Sequence, residues 1–245
     1  MSGKLPLISC LCITRNRVPL LKRAIASFNA QTYDNKELII VYEDDDPSTK
    51  DYLQKLSAPD IHKIEMAKSP DLTLGKLRNL SIQACNGEFF CQWDDDDWYH
   101  HHRLEFQMYV IRQSRFPACV LMHWLVFDAT RNRGYVSPWW PWEGSVLCQT
   151  KIFDDDMKYA DKKKDEDTPF IKKMLKKHMV FPVIMPKLYI YVYHSANVCG
   201  YDHWRDNIFR ASKALSAPTS RLMADILNGR YSVKEASELL DDIEG

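Results

Sequence analysis

Residues 87–107 read GEFFCQWDDDDWYHHHRLEFQ, four consecutive aspartates set directly after an apolar segment. Glu88–Trp93 has the composition of a buried strand, and Asp94–Asp97 terminate it. Like charges a few ångströms apart raise one another's pKa, and a divalent cation removes that conflict by taking carboxylate oxygens as ligands. Mg2+ and Mn2+ use one or two carboxylates and complete their shell with water and phosphate oxygens. A solvated acidic turn would carry the same letters; the position at a strand end favours the metal.

Upstream, Leu7–Thr14 (LISCLCIT) reads as a buried strand, and Val18–Ala30 as a helix with Leu20, Leu21, Ala24, Ile25 and Phe28 at helical spacing. Lys36–Tyr42 is a second strand ending in the acidic run Glu43–Asp46. Ser48–Leu56 follows as a helix, Ile61–Ala67 as a short strand, and Thr73–Cys85 as a helix stopped by Asn86-Gly87. This alternation predicts an α/β fold with a mostly parallel central sheet flanked by helices. Ligands of such sheets bind beyond the carboxyl ends of the strands, so Thr14–Arg17, Glu43–Asp46 and Asp94–Asp97 are expected to converge on one crevice.

Downstream, Arg103–Gln113 reads as a helix, Ala118–Asp128 as one strand, Thr168–His178 as a helix and Lys187–His194 as a strand. From Pro218 onward the pattern predicts one or two terminal helices with no catalytic role. Adjacent histidines on a helix point to different faces, so His100-His101-His102 is expected to be solvated.

The 245 residues carry 33 Lys+Arg against 33 Asp+Glu, so no net basic field exists to gather nucleic acid. With 45% hydrophobic and 27% charged residues, a disordered chain is excluded. The apolar runs are far shorter than the roughly 20 residues that span a bilayer. The start MSGKLPLIS enters the first strand without a signal-peptide core. A cytoplasmic protein is expected, with room for peripheral association at the inner face of a membrane. Seven cysteines without a C-x-x-C pair read as buried reduced thiols.

Aligned without a gap, Gly87–Gln107 resembles the GEYIAFLDSDDxxxPxKLExQ segment of family 2 glycosyltransferases of the GT-A fold. Asp94 and Asp96 fall on the outer positions of that family's D-x-D motif. Residues 6–45 resemble the family's opening PxVSVIIPTYNRxxxLxxAIxSxLxQTYxNxEIIVVDD, and Leu74-Gly75-Lys76-Leu77-Arg78-Asn79 its GxxxARN segment. The resemblance implies a Rossmann-like GT-A domain over residues 1–215, with a nucleotide-sugar half (1–107), an acceptor half (108–215) and a helical tail (216–245). It implies a nucleotide-diphosphate sugar donor, often UDP-linked, an Mn2+ or Mg2+ cofactor, inversion at the sugar carbon, and a saccharide or lipid-linked saccharide acceptor.

Carried over by position, Thr14, Arg15 and Asn16 line the nucleobase pocket, Asp44 bonds the base, and Glu43 takes the family's preceding aspartate. Asp95 joins the donor set. Arg15 stands where the family has a tyrosine, and Asp45-Asp46 replace Gly-Ser. Arg78 reaches the nucleotide, or is a helix-surface arginine. Asp96 is the main metal ligand, Asp94 binds ribose or shares the metal, and His194, in a segment resembling YRxHxxN, completes the shell around the leaving group. Glu166-Asp167 resembles the family's E-D motif; Asp167 is favoured as the base, though acids at a helix start are also ordinary caps. Trp139, Trp140 and Trp142 read as an acceptor-side wall, or as core under a loop.

Two other functions fit parts of the pattern. A sugar-nucleotide nucleotidyltransferase would be expected to carry a Gly-rich phosphate loop after its first strand, where this chain has TRNR. A binding module that kept the fold without turnover would not need both the aspartate cluster and the acidic pair.

Overall fold

Ile8–Ile13 forms β1, and its first five residues are buried, which leaves it no solvent face and places it at the centre of a sheet. The computed structural model describes residues 5–243. Residues 1–4 of the expected leaderless start, and 244–245 of the tail, lie outside them.

After β1 come α1 (Val18–Asn29), β2 (Lys36–Glu43), α2 (Pro47–Lys55), β3 (Ile61–Met66), α3 (Leu74–Gln83) and β4 (Phe89–Gln92). The four strands are parallel in the order β3-β2-β1-β4, with Cys10 opposite both Leu38 and Cys91. The strand order reverses at β1, between β2 and β4, which is where a doubly wound sheet opens its crevice. Asp46 caps α2 by accepting from the Thr49 N–H at 3.0 Å, and it also accepts from the Asn16 N–H at 2.5 Å. Burial raises the Asp46 carboxyl, but these donors outweigh it and hold the group below the usual range. Asp46 thus stitches the loop after β1 to the loop after β2.

The second half adds β5 (Trp98–Tyr99), α4 (Arg103–Ser114), β6 (Ala118–Leu121), β7 (Leu125–Asp128), β8 (Arg133–Val136), β9 (Leu147–Gln149) and α5 (Asp167–Lys176). These are followed by β10 (Val180–Val183), β11 (Tyr189–Tyr193), α6 (Tyr201–Asn207), β12 (Lys213–Ala214), α7 (Ala217–Leu227) and α8 (Val233–Asp241). Strand β9 runs antiparallel between β4 and β6 and extends the first sheet to seven strands. Strands β12-β8-β7-β11-β5 form a second sheet.

The single strand expected over Ala118–Asp128 is therefore two, in different sheets. The chain breaks at Met122–Trp124, where the Met122 N–H is taken by the Val183 carbonyl and the Trp124 N–H by Ser137 Oγ. A continuous apolar run hides such a break, because both strands are buried.

Helices α7 and α8 close the second sheet: Met223, Ile226, Ala236 and Leu240 pack on Trp98, Leu125, Phe127, Ile190 and Val192. Burial of each large apolar side chain contributes about 1.5–3 kcal/mol. A Ser232/Glu235 capping box starts α8.

That helix also overturns the solvated reading of the histidines. His100 and His101 are 2% and 6% exposed, in the turn before α4, with rings stacked 4.8 Å apart. The His101 N–H donates to Ser237 Oγ at 3.1 Å, and His100 Nε2 lies 3.4 Å from Asp241 Oδ2. Only His102 is exposed.

Burial, opposed by Asp241, pushes His100 down to about 4, and burial lowers His101 as well. A folded pKa below that of the unfolded chain means the neutral ring's contribution is full above about pH 6.5 and is lost as pH falls toward 4. About 3 kcal/mol is at stake for His100. Hydrogen exchange should therefore show α8 losing protection at pH 4.5 relative to pH 7, and His100→Phe should flatten that dependence. Equal protection of α8 at both pH values rules the account out.

Candidate active site

The loops at the carboxyl ends of β1, β2 and β4 meet around a cavity of about 720 Å3. Thr14 Oγ1 donates to Asp95 Oδ2 at 2.7 Å, joining the β1 and β4 loops. Arg15 donates to Glu43 at 2.9 Å and to Asp45 at 2.6 Å, joining β1 to β2. Arg17 Nη1 lies 2.9 Å from Asp96 Oδ2 and 3.3 Å from Asp95 Oδ1. Thr14, Arg15, Glu43, Arg78, Asp94, Asp95 and Asp96 all border this cavity.

Not every expected residue reaches it. Glu43 borders the cavity and Asp44 does not: its carboxylate accepts from the Lys68 N–H at 2.8 Å on the outer side. Asn16 takes a left-handed backbone (φ 53°) and is held through its N–H to Asp46, away from the cavity. Trp139, 53% exposed, packs edge-on against His123 and also lies outside. Trp140 and Trp142 border the cavity, Trp142 stacked on Trp124 and tilted against Tyr191.

The four aspartates differ in environment. Asp94 faces the cavity 3.3 Å from Arg78 Nη2; burial pushes its carboxyl up while Arg78 opposes. Asp95 is pushed up to about 7 by burial and by Asp96. Asp96 Oδ2 is contacted by Arg17, by His194 Nε2 at 3.1 Å and by Asn197 Nδ2 at 3.3 Å. Burial alone would raise Asp96, but His194 and Arg17 hold it below the usual range. Asp97 serves the scaffold: Tyr189 OH and the Val192 N–H, at 3.0 Å, bond it to β11, and burial raises it far above a normal carboxylate.

Among the described residues no three His, Cys, Asp or Glu groups converge as a complete metal cage. Asp96 and His194, in hydrogen-bond contact at 3.1 Å, are a carboxylate and an imidazole, donor types that a divalent ion takes, and they are the two side chains here that would hold one. Such an ion draws its remaining ligands from water and phosphate.

Arg78 is 7% exposed, buried at the floor of the cavity, which removes the helix-surface reading. It donates from Nε to Glu166 Oε1 at 2.9 Å and from Nη1 to Gln92 Oε1 at 2.5 Å. Burial disfavours its charge, but Asp94, Glu143 and Glu166 outweigh that and raise its pKa. From Gln92 the bonds continue through Tyr159 OH, at 2.8 Å, to Glu143. Burial pushes Glu143 up to about 8 against the pull of Arg78. The sequence reading passed over Glu143, Tyr159 and Gln92 as polar partners; only the position of Gln92 beside the aspartates hinted at a role.

Glu166 is thus occupied by Arg78. Asp167 is the first residue of α5, half-buried, and borders the cavity with a single 3.3 Å contact from Thr168 Oγ1. The loop before it is fastened to α3. Asn79 exchanges two hydrogen bonds with the Tyr159 backbone, Thr73 Oγ1 donates to Asp161 at 2.7 Å, and the Gly75 N–H donates to the Lys162 carbonyl at 3.1 Å. A Cβ at position 75 would collide with the Ala160 carbonyl oxygen.

Comparison with known proteins bears on the family and the fold. The model of glycosyl transferase family 2 matches residues 9–180. The chain is 30% identical over 93 residues to the putative glycosyltransferase EpsH of Bacillus subtilis (strain 168), covering 38% of this chain and 27% of that one. It is 39% identical over 106 residues to the putative colanic acid biosynthesis glycosyl transferase WcaA of Escherichia coli (strain K12), covering 40% and 36%. The chain thus spans about a third of the length of these curated relatives. Its fold is similar to that of S. aureus TarS 1-349 in complex with UDP-GlcNAc, with a TM-score of 0.63 at 14% identity over 91% of this chain and 72% of that one. The mannosyltransferase PcManGT from Pyrobaculum calidifontis, in complex with GDP-Man and Mn2+, gives 0.58 at 13% identity over 96% and 74%. With a family match spanning most of both sheets and every loop of the crevice but the one after β11, this chain belongs to glycosyl transferase family 2.

Proposed function

We propose that the protein is a metal-dependent, inverting glycosyltransferase that moves a sugar from a nucleotide-diphosphate donor, of the UDP type, to an acceptor hydroxyl. The observation that carries this reading is one cavity bordered by Arg17 and Asp96 on the nucleotide side and by Asp167 on the other, with His194 bonded to Asp96. Thr14, Arg15 and Glu43 form the base end, where the Arg15 guanidinium, tied to Glu43 and Asp45, offers a flat face for stacking. Asp94 holds the ribose or shares the ion. Asp96 and His194 would hold Mn2+ or Mg2+, which when bound neutralises the departing diphosphate. Arg17 adds a positive charge that needs no metal. Asp167 takes the proton of the acceptor hydroxyl as its oxygen attacks the sugar carbon. The similarity to proteins crystallised with UDP-GlcNAc and with GDP-Man and Mn2+ supports a nucleotide-sugar donor.

Calorimetric titration of UDP tests this. Binding in Mn2+ is expected to weaken at least about tenfold with a chelator and in Asp96→Asn. Equal affinity under all three conditions contradicts the metal site. Parallel titrations with GDP and dTDP read the base preference of Arg15 and Glu43.

A further inference from the structure

Asp96 is held from two sides by arginines of one helix. Arg17, the cap residue of α1, contacts its carboxylate, and Arg23, in the second turn of α1, donates from Nη2 to its main-chain carbonyl. The same Arg23 guanidinium donates from Nη1 to the Leu227 carbonyl at 3.4 Å. Other groups hold the neighbours of Asp96: Tyr99 OH donates to the Asp94 carbonyl at 3.0 Å, Thr14 donates to the Asp95 carboxylate, and β11 takes Asp97. Among the described residues Arg23 is the one side chain bonded to the main chain of Asp96.

Leu227 is the last residue of α7. The N–H groups of Asn228, Arg230 and Gly229 take the Ala224, Asp225 and Ile226 carbonyls, and Gly229, with φ 73°, turns the chain there. The Leu227 carbonyl is left to Arg23, at a helix end whose partial negative charge favours a cation. Lys187 serves α8 in the same way, donating to the Asp241 and Ile243 carbonyls at and just beyond its end. Cations of the main fold thus fasten both terminal helices at their C-terminal ends, and one of these cations also grips the aspartate loop.

We propose that Arg23 is a positioning residue for Asp96, and that through it the end of α7 sets where Asp96 stands. This rests on the metal reading above, in which Asp96 is a ligand. A guanidinium is planar with its N–H groups in a fixed fork, so its two carbonyls are held in one geometry and a displacement at Leu227 is passed to Asp96. An ammonium on a flexible stem keeps the charge without the fork. Arg23 does not border the cavity. It acts through Asp96, and the terminal helices act through Arg23.

The test measures UDP affinity by calorimetry, in Mn2+ and with a chelator, and hydrogen exchange at residues 226–230, for the parent, Arg23→Met and Arg23→Lys. Arg23→Met should weaken binding in Mn2+ about tenfold and leave binding in chelator within about twofold, and Arg23→Lys should recover part of the loss. Coupling between two sites is reciprocal, so Mn2+ and UDP should slow exchange at residues 226–230 at least about threefold in the parent and not in Arg23→Met. Gly229→Val, which strains the left-handed turn at the end of α7, should lower affinity in Mn2+ on its own and add nothing to Arg23→Met. Equal weakening with Mn2+ and with chelator marks a merely structural arginine and overturns the proposal, as does exchange that ligand leaves unchanged in the parent or slows in both chains. Unchanged affinity in Gly229→Val overturns the part assigned to α7. UDP binding that ignores Mn2+ in the parent overturns the metal reading instead; the positioning role then stands if UDP alone slows exchange at residues 226–230 in the parent and not in Arg23→Met, and falls otherwise.

Discussion

Asp167→Asn should lower kcat by about 10²–10⁴ while UDP affinity stays within about twofold of the parent. The substitution keeps the shape of the side chain and the start of α5, and removes only the ability to accept a proton. The magnitude is that of a positioned general base. Glu166→Gln should behave differently. Glu166 is held at 2.9 Å by Arg78, so its loss disturbs the floor of the cavity and shows as a lower thermal midpoint along with reduced turnover. Single-turnover release of UDP from a donor sugar separates the two. If Asp167→Asn turns over at the parent rate, the base lies elsewhere.

Arg78→Met is the second large effect, and it is one of stability. The guanidinium is 7% exposed and bonded to Glu166 and Gln92, with Asp94 at 3.3 Å. Removing it leaves buried carboxylates without their cation, which costs about 3–5 kcal/mol. For a chain of this size the thermal midpoint should fall by on the order of 10 °C. Burial already pushes Asp94 and Glu143 up against the pull of Arg78, so without the cation the loss should be largest above neutrality and shrink as the pH falls and they protonate. Combining Arg78→Met with Glu166→Gln should recover part of it. A loss of equal size at pH 5 and pH 8 contradicts the electrostatic account.

The first four strands and three helices were legible because their signals are local. β1, β2 and β4 are short apolar runs, β3 alternates, each helix has its own period, and the polar clusters at strand ends mark the crevice before any contact is known. Asp167, Asp94 and Asp96 were legible as candidates in the same way, and all three border the cavity. What escaped depends on distant parts of the chain. His100 and His101 are buried by α8, more than 130 residues later, which no local pattern announces. Glu143 acquires its environment from Tyr159 and Arg78. That Asp44, expected on the base, is turned to the Lys68 N–H depends on the loop after β3, which the pattern of β2 does not reach. The break between β6 and β7 is concealed by their shared hydrophobicity.

Gly75 has a consequence for the tolerance of this chain to change. Position 75 is in the first turn of α3, where helix propensity favours alanine over glycine, yet here any side chain must displace the backbone at Ala160. A saturation library at this codon should return glycine alone from a selection for activity. Helix propensity would favour alanine there; the selection would instead map the seam along which α3 grips the loop that leads into Asp167.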